Sequence, residues 1–257
     1  MKEKRYKNYV FDLYGTLVDI HTNEEDEQLW EKMALFYGYY GALYTPKELQ
    51  EAYSNLIKSR ERVRKSELEA EPRYAHEAFP EIQIENVFRE LFRQKGVEAD
   101  MDLSIHAGQF FRVLSTEYVR LYEGVPKMLL AIRKMGSKVY LLSNAQRIFT
   151  AYEMNLLNIS QYFDGILISS EYGTKKPDIR FYNMLLEEYA LKLEECIMIG
   201  NDAISDIAGA KAAGMDTYYI HSNISPECEK EPDATYCQME MDIENVCRVL
   251  GILIEKE

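Results

Sequence analysis

Residues 9–19 read YVFDLYGTLVD, an apolar run that leads directly into an aspartate. Residues 9–11 are aromatic or β-branched, which predicts a short buried strand. Asp12 stands at the end of that strand, and Gly15 lets the backbone turn sharply soon afterwards. Such a turn leaves main-chain N–H groups able to face an anion. The stretch therefore predicts a strand end that carries a carboxylate beside an anion-binding turn.

Four further apolar runs predict buried strands, at residues 139–142, 165–168, 196–199 and 217–220. Helical patterns accompany them, at residues 125–135, 146–157, 179–189 and 205–213. Strands that alternate with helices favour a parallel sheet covered by helices on both faces. We therefore predict an α/β fold with a doubly wound, Rossmann-like parallel sheet.

The segment 20–122 separates the first strand from the second and shows no convincing strand pattern. It is predicted to form helices at residues 24–37, 46–65, 81–95 and 103–121. Because a structureless loop of this length is uncommon in a compact domain, we expect an inserted, all-helical domain at residues 20–122. The core domain would then comprise residues 1–19 and 123–257. Its acidic stretch 223–240 is expected to be irregular, and a final helix is expected at 243–253.

Composition limits the class of partner. The 257 residues suffice for one large domain or two smaller ones. With 30 basic and 43 acidic side chains the net charge is −13, which repels nucleic acid and anionic membranes, so we expect neither as a partner. The four cysteines show no C-x-x-C spacing, and no stretch resembles a signal peptide or a membrane span. We expect a cytoplasmic protein with reduced thiols, and nothing in the sequence specifies its oligomeric state.

Polar residues follow the predicted strands, and in a parallel α/β sheet ligands bind beyond the carboxyl ends of the strands. These residues are Asp12, Ser143, Asn144, Lys176, Asp202 and Asp206. Carboxylates crowded at one edge repel one another unless a cation holds them. Mg²⁺ prefers oxygen ligands and takes a small number of protein carboxylates together with water and substrate phosphate. We therefore predict an Mg²⁺ site with Asp12, Asp202 and Asp206 as ligands.

Four motifs resemble those of the haloacid dehalogenase superfamily, in the same order along the chain. They are FDLYGTLVD at 11–19, LSN at 142–144, KPD at 176–178 and GNDAISDIAGA at 200–210. The helical insertion after the first motif is similar to the cap domain of that superfamily. The resemblance covers essentially the whole chain and implies a hydrolase with an aspartate nucleophile.

The resemblance also implies roles for individual residues. Asp12 would attack the substrate and form a covalent aspartyl intermediate. Lys176 would neutralise charge around it, and the main-chain carbonyl of Tyr14 would be a further Mg²⁺ ligand. The transferring group would be held by Gly15, Thr16, Ser143 and Asn144. The substrate implied is a small phosphorylated metabolite, hydrolysed through an aspartyl-phosphate.

Tyr14 departs from the pattern of phosphatases in this superfamily, which carry a general-acid aspartate at that position. A phenol with a pKa near ~10 is poorly matched to proton transfer at neutral pH. The 2-haloacid dehalogenases have tyrosine there, because a halide leaves without a proton. They act without a metal, however, and place an arginine early in the cap.

This chain keeps both Asp202 and Asp206 and has no arginine between Lys7 and Lys58. We therefore favour an Mg²⁺-dependent phosphatase. A 2-haloacid dehalogenase and a non-catalytic binding protein remain as alternatives.

Overall fold

A parallel six-stranded sheet forms the centre of the computed structural model, which describes residues 6–71, 76–228 and 230–254. In chain order the strands are β1 (Asn8–Phe11), β2 (Val18–Thr22), β3 (Thr116–Leu121), β4 (Lys138–Ser143), β5 (Gly165–Ile168), β6 (Cys196–Gly200), β7 (Asp216–Ile220) and β8 (Tyr236–Gln238). The sheet order is β5-β4-β1-β6-β7-β8, while β2 pairs with β3 in a separate antiparallel ribbon. An order that runs outward in both directions from β1 is doubly wound, so the predicted α/β fold is confirmed.

The helices divide into two groups. In chain order they are α1 (Glu27–Tyr39), α2 (Pro46–Glu69), α3 (Ile84–Gln94), α4 (Met101–Ser115), α5 (Val125–Lys134), α6 (Arg147–Leu156), α7 (Ser169–Tyr172), α8 (Ile179–Glu188), α9 (Gly209–Ala212) and α10 (Ile243–Val249). The first four lie between β2 and β3 and are called the helical insert below. The other six accompany the strands of the parallel sheet.

Helices cover both faces of the sheet because side chains alternate along each strand. In β1, Tyr9 and Phe11 pack with Leu129 of α5 and Val246 of α10. Val10 faces the other side, where it packs in the cluster that contains Phe181 of α8. Strands buried on both faces appear in the sequence as continuous apolar runs, which is why they could be located.

The helical insert has an apolar cluster of its own, rich in aromatic side chains. Trp30, Tyr37, Tyr53, Phe88, Phe92 and Phe111 are all buried in it. The α2 helix begins with a capping box in which Thr45 and Glu48 bond reciprocally, followed at once by Pro46. Phe149 of α6 also packs against this cluster, so the insert contacts the helix that follows β4.

The expected helix at 103–121 is wrong beyond Ser115. Residues Thr116–Leu121 form β3, which pairs with β2 from Val18↔Leu121 to Thr22↔Thr116. The β-branched and aromatic residues of TEYVRL suit a strand, and pairing with β2 outweighs the helical periodicity that precedes them. The insertion is therefore joined to the sheet domain by a two-stranded ribbon, and segment 20–122 is not free of strands.

Three smaller corrections concern the end of the chain. The stretch 223–240, expected to be irregular, contains β8, which pairs in parallel with β7. The helix expected at 205–213 is a π-helical turn at Ala203–Ala208 that continues into α9. The last helix ends at Val249 rather than at 253, because Gly251 adopts a left-handed φ of 65° that terminates it.

Candidate active site

The predicted site residues meet at the carboxyl ends of three neighbouring central strands. Asp12 follows β1, Ser143 ends β4, and Asp202 follows β6. A loop after β5 brings Lys176 to the same edge. Together they surround a cavity of about 200 Å³, lined by Asp12, Tyr14, Ser143, Asn144, Lys176, Asn201, Asp202, Ser205, Asp206, Ile224 and Pro226.

Lys176 joins two carboxylates inside the protein. Its Nζ lies 2.7 Å from Asp12 Oδ1 and 2.6 Å from Asp206 Oδ1, and its side chain is only 1% exposed. Burial lowers the pKa of Lys176, but the carboxylates of Asp12 and Asp206 outweigh burial and raise that pKa above its ordinary value. The lysine therefore keeps its positive charge beside the predicted nucleophile.

Asp202 and Asp206 hold each other at the start of the π-helical turn. The N–H of Asp202 donates to Asp206 Oδ2 at 2.9 Å, and Asp202 Oδ1 accepts from the N–H groups of Ile204 and Ser205. Burial raises the pKa of Asp206 to about 7, although the Lys176 ammonium acts in the opposite direction. Asp206 is thus fully engaged within the protein, while the described hydrogen bonds of Asp202 use one carboxylate oxygen.

Asn144 and Ser143 differ in how they are used. The Asn144 amide bonds both main-chain groups of Lys176, accepting from its N–H at 2.8 Å and donating to its carbonyl at 2.9 Å. This pair of bonds fixes the loop that carries the lysine. The Ser143 hydroxyl is buried and has no hydrogen-bond partner among the described residues. A buried hydroxyl without a partner is costly, so its position at the cavity wall suits a ligand oxygen.

The turn after Asp12 is built around a close approach. Gly15 has a φ of 83°, and a Cβ there would lie 2.2 Å from Nδ2 of Asn201. Thr16 is buried and donates from its hydroxyl to Asn201 Oδ1 at 3.3 Å. Gly15 and Thr16, predicted to bind substrate, therefore support Asn201 and are not among the residues that line the cavity.

Tyr14 lines the cavity, but its hydroxyl is occupied elsewhere. It donates to Glu153 Oε2 at 2.5 Å and lies 3.1 Å from the hydroxyl of Thr150. Burial raises the pKa of the Tyr14 phenol above its ordinary value of 10, and the Glu153 carboxylate raises it further. The hydroxyl therefore stays protonated and bonded to α6.

Sequence reasoning assigned no role to several residues of this region. Asn201 also bonds the hydroxyls of Ser222 and Ser225, and its place in the Gly-Asn-Asp run at a strand end could have marked it. Glu153 and Arg112 lie in amphipathic helices, where a charge ordinarily signals a solvent-facing position. Nothing in the sequence indicated that they are paired near Tyr14.

The oxygen donors of the cavity suit Mg²⁺. Asp12 and Asp202 line it, and the described hydrogen bonds of each use one carboxylate oxygen. Among the residues that the structure describes, no three acidic, histidine or cysteine side chains form a metal cluster by themselves. Mg²⁺ does not require one, because it fills its shell with water and substrate oxygens around a few carboxylates.

These features agree with a comparison against protein families. The model of the haloacid dehalogenase-like hydrolases matches residues 6–214. The chain therefore belongs to the haloacid dehalogenase-like hydrolase family.

The curated proteins that this chain resembles include phosphatases. The glyceraldehyde 3-phosphate phosphatase of Pyrococcus furiosus is 32% identical over 40% of this chain and 43% of its own length. The phosphoserine phosphatase of Thermus thermophilus is 28% identical over 59% of this chain and 58% of its own length. The chain thus spans about half the length of these curated relatives.

A solved structure shares the fold over nearly the whole chain. The 2-haloacid dehalogenase of Pseudomonas syringae superposes with a TM-score of 0.62 at 18% identity, covering 96% of this chain and 98% of its own. At that identity the likeness concerns the fold alone.

No helix within the described residues is long and apolar enough to cross a bilayer.

Proposed function

We propose that the protein is an Mg²⁺-dependent phosphatase that hydrolyses a small phosphorylated metabolite through an aspartyl-phosphate at Asp12. The observation that carries the proposal is the buried, unpartnered hydroxyl of Ser143, which lines the same cavity as Asp12 and Lys176. A phosphoryl oxygen would accept a hydrogen bond from that hydroxyl and receive the charge of the lysine.

The reaction has two balanced steps. An Asp12 oxygen bonds to phosphorus as the bond to the ester oxygen breaks, and the leaving group departs as an anion that takes a proton from water. Water then attacks the same phosphorus, which releases phosphate and restores the carboxylate. Lys176, bonded to Asp12, lowers the cost of the negative charge that gathers there.

The proposed ligands of Mg²⁺ are Asp12, Asp202 and the main-chain carbonyl of Tyr14. Asp206 was also predicted to be a ligand, but its two carboxylate oxygens bond Lys176 and Asp202, so we propose that it supports the ligands instead of binding the metal. When bound, Mg²⁺ would polarise phosphoryl oxygens and offset the repulsion between the carboxylates. The helical insert is proposed to act as a cap domain at residues 20–122, over a core of residues 1–19 and 123–257.

The tyrosine at position 14 limits which substrates turn over. Because its hydroxyl is bonded to Glu153, the leaving group receives no proton from it. Loss of a general acid typically slows a reaction by ~10²–10⁴. We expect slow turnover that favours phosphates with good leaving groups, such as acyl and aryl phosphates.

Tyr14 also supports a second candidate function, cleavage of a carbon–halogen bond, since a halide leaves without a proton. Arg112 of the helical insert lies 5.6 Å from the Tyr14 ring, but its guanidinium is bonded to Glu153. It is therefore not available to bind a substrate carboxylate, which favours the phosphatase.

A cytoplasmic location is supported by the four cysteines, all within the described residues, among which no disulfide forms.

The direct test is phosphate release from sugar, nucleotide, acyl and aryl phosphates, with Mg²⁺ and with excess chelator. The Asp12→Ala protein serves as the blank. Release by the wild type that stops with chelator supports the proposal. Chloride release from 2-chloropropionate in chelator would instead support the dehalogenase, and Mg²⁺ binding without either product would support a non-catalytic protein.

The missing acid makes a separate prediction about Tyr14. Replacing it by aspartate (Tyr14→Asp) restores a carboxyl group where the family's phosphatases have one. We expect turnover of an alkyl phosphate to rise by up to the ~10²–10⁴ that such a group contributes, while an aryl phosphate gains little. An equal gain for both esters, or none for the alkyl ester, would contradict the account of the missing acid.

A further inference from the structure

A buried chain of three polar side chains connects the turn after β1 to the helical insert. The Tyr14 hydroxyl donates to Glu153 Oε2 at 2.5 Å. Arg112 donates to the same glutamate twice, from Nε to Oε1 at 2.6 Å and from Nη2 to Oε2 at 3.2 Å. The three residues come from the first motif, from α6 and from α4. The hydrogen bonds therefore run from the turn after β1, through a helix of the sheet domain, to a helix of the insert.

The charged pair of Glu153 and Arg112 is largely buried beside aromatic rings. The Glu153 side chain is 7% exposed and that of Arg112 17%. A buried charge without its partner is strongly destabilising, so the two are held together. The Arg112 guanidinium also lies over the rings of Tyr14 and Phe149, at 5.6 and 5.3 Å from their centroids. Ring, carboxylate and guanidinium thus fix one another.

Arg112 is placed where the insert meets the ribbon. It lies in the last turn of α4, and its carbonyl accepts from the hydroxyls of Ser115 and Thr116, the residues at which the helix ends and β3 begins. A change in the orientation of α4 would therefore act directly on Glu153. Through Glu153 it would reach the Tyr14 side chain.

The position of the Tyr14 ring matters because Tyr14 lines the cavity of about 200 Å³ around Asp12. Thr150 and Glu153, the hydrogen-bond partners of its hydroxyl, are not among the residues that line this cavity. Bonding to α6 thus directs the hydroxyl away from Asp12. A ring released from α6 would have a small cavity beside it to enter.

We infer that Glu153 and Arg112 are positioning residues, which hold the Tyr14 side chain against α6 and so keep the cavity beside Asp12 accessible to substrate. The inference rests on the proposed function for its kinetic consequence. Arg112 makes that hold depend on the placement of α4. Neither residue is assigned contact with the substrate.

The kinetic test is a cycle of four proteins: wild type, Glu153→Gln, Tyr14→Phe and the double variant, assayed with an aryl phosphate. A released ring competes with substrate, so each single variant should raise KM about tenfold, with a smaller effect on kcat. The double variant should be no worse than Tyr14→Phe alone, because coupled neighbours are not additive. A fall in kcat at constant KM, or additive effects, would overturn the inference.

A second measurement does not need turnover. In protein labelled with 3-fluorotyrosine, the ¹⁹F resonance of Tyr14 is identified by its loss in Tyr14→Phe. It should shift in Glu153→Gln and stay in Asp164→Asn, a matched control whose carboxylate pairs with Lys138 and Arg133 at the opposite edge of the sheet. An unmoved resonance in Glu153→Gln would overturn the inference even if the wild type releases no phosphate.

If Glu153→Gln fails to fold because Arg112 loses its partner, the variant Glu153→Gln/Arg112→Met removes both charges together. It should show the same rise in KM and the same shift of the Tyr14 resonance. Wild-type values in that folded variant would contradict the positioning role. Absence of phosphate release from the wild type, by contrast, would count against the proposed function only.

Discussion

The carboxyl edge of the parallel sheet is lined by ionisable side chains, whereas the interior of the helical insert is filled by aromatic ones. At the edge, Asp12, Lys176 and Asp206 are ionisable and almost fully buried. In the insert, aromatic rings pack on one another. Trp30 and Phe111 are one such pair, with ring centroids 5.6 Å apart. None of the residues that line the cavity around Asp12 belongs to α1–α4. Chemistry and apolar packing are therefore separated in space.

The two regions nevertheless touch at defined points. Besides Arg112 with Glu153, the segment after α2 lies along the loop that carries Lys176. The N–H of Phe79 donates to Asp178 Oδ2 at 3.1 Å, and the carbonyl of Phe79 accepts from the N–H of Lys175 at 3.0 Å. The insert thus contacts residues next to Lys176, and its described residues do not themselves line the cavity.

The largest effect should come from the charged edge. Asp12→Asn removes the proposed nucleophile and should lower kcat by at least about 10⁴-fold, as losses of a nucleophile typically do. Steady-state phosphate release measures it. Asp164→Asn is the matched control, because Asp164 also bonds a lysine but lies before β5 at the amino edge. Comparable losses in both proteins would remove the distinction between the two edges.

The aromatic cluster should respond in stability instead of rate. Phe88 is buried and packs beside Tyr53 and Phe111, at 5.6 Å between ring centroids in each case. Phe88→Ala leaves a cavity and should lower the free energy of unfolding by about 3–5 kcal/mol. Urea unfolding gives that value, and kcat measured well below the transition should stay within about twofold. A loss of kcat as large as that of Asp12→Asn would show that packing and chemistry are not separate.

The ribbon between the regions should give the smallest effect, and one that depends on pH. Burial raises the pKa of Asp19, but hydrogen bonds from Asn223 and Arg120 outweigh it and hold that pKa below 3.8. Because the pKa of Asp19 is lower in the folded protein, the ionised carboxyl stabilises the fold at pH values above its pKa in the unfolded chain. That stabilisation is lost as the pH falls through the pKa of the folded protein. Asp19→Asn should cost about 1 kcal/mol at neutral pH.

The same substitution should flatten the fall in stability on acidification. The free energies of unfolding of wild type and variant are compared between neutral and acidic pH. The difference between them should shrink as the carboxyl takes up a proton. A difference that is constant with pH would mean that the charge of Asp19 contributes nothing to the ribbon.

The parts that could be predicted from sequence are those with local signals. Continuous apolar runs marked β1, β4, β5, β6 and β7, and polar residues at or after the strand ends marked the edge where Asp12, Ser143 and Lys176 meet. The ribbon was missed because β3 continues a helical pattern and finds its partner only at β2, far away in the sequence. Glu153 and Arg112 were missed for the same reason, since their pairing exists only once α4 lies beside α6.

The proposed mechanism requires that Asp12 becomes phosphorylated during turnover. The most direct measurement is a rapid acid quench during turnover of an acyl or aryl phosphate with Mg²⁺, followed by mass spectrometry of the peptide that contains residue 12. This peptide should gain one phosphoryl group. The adduct should be absent in Asp12→Asn and should disappear once the substrate is exhausted, because water hydrolyses it. Phosphate release without any adduct, or release that persists in Asp12→Asn, would contradict the proposed mechanism.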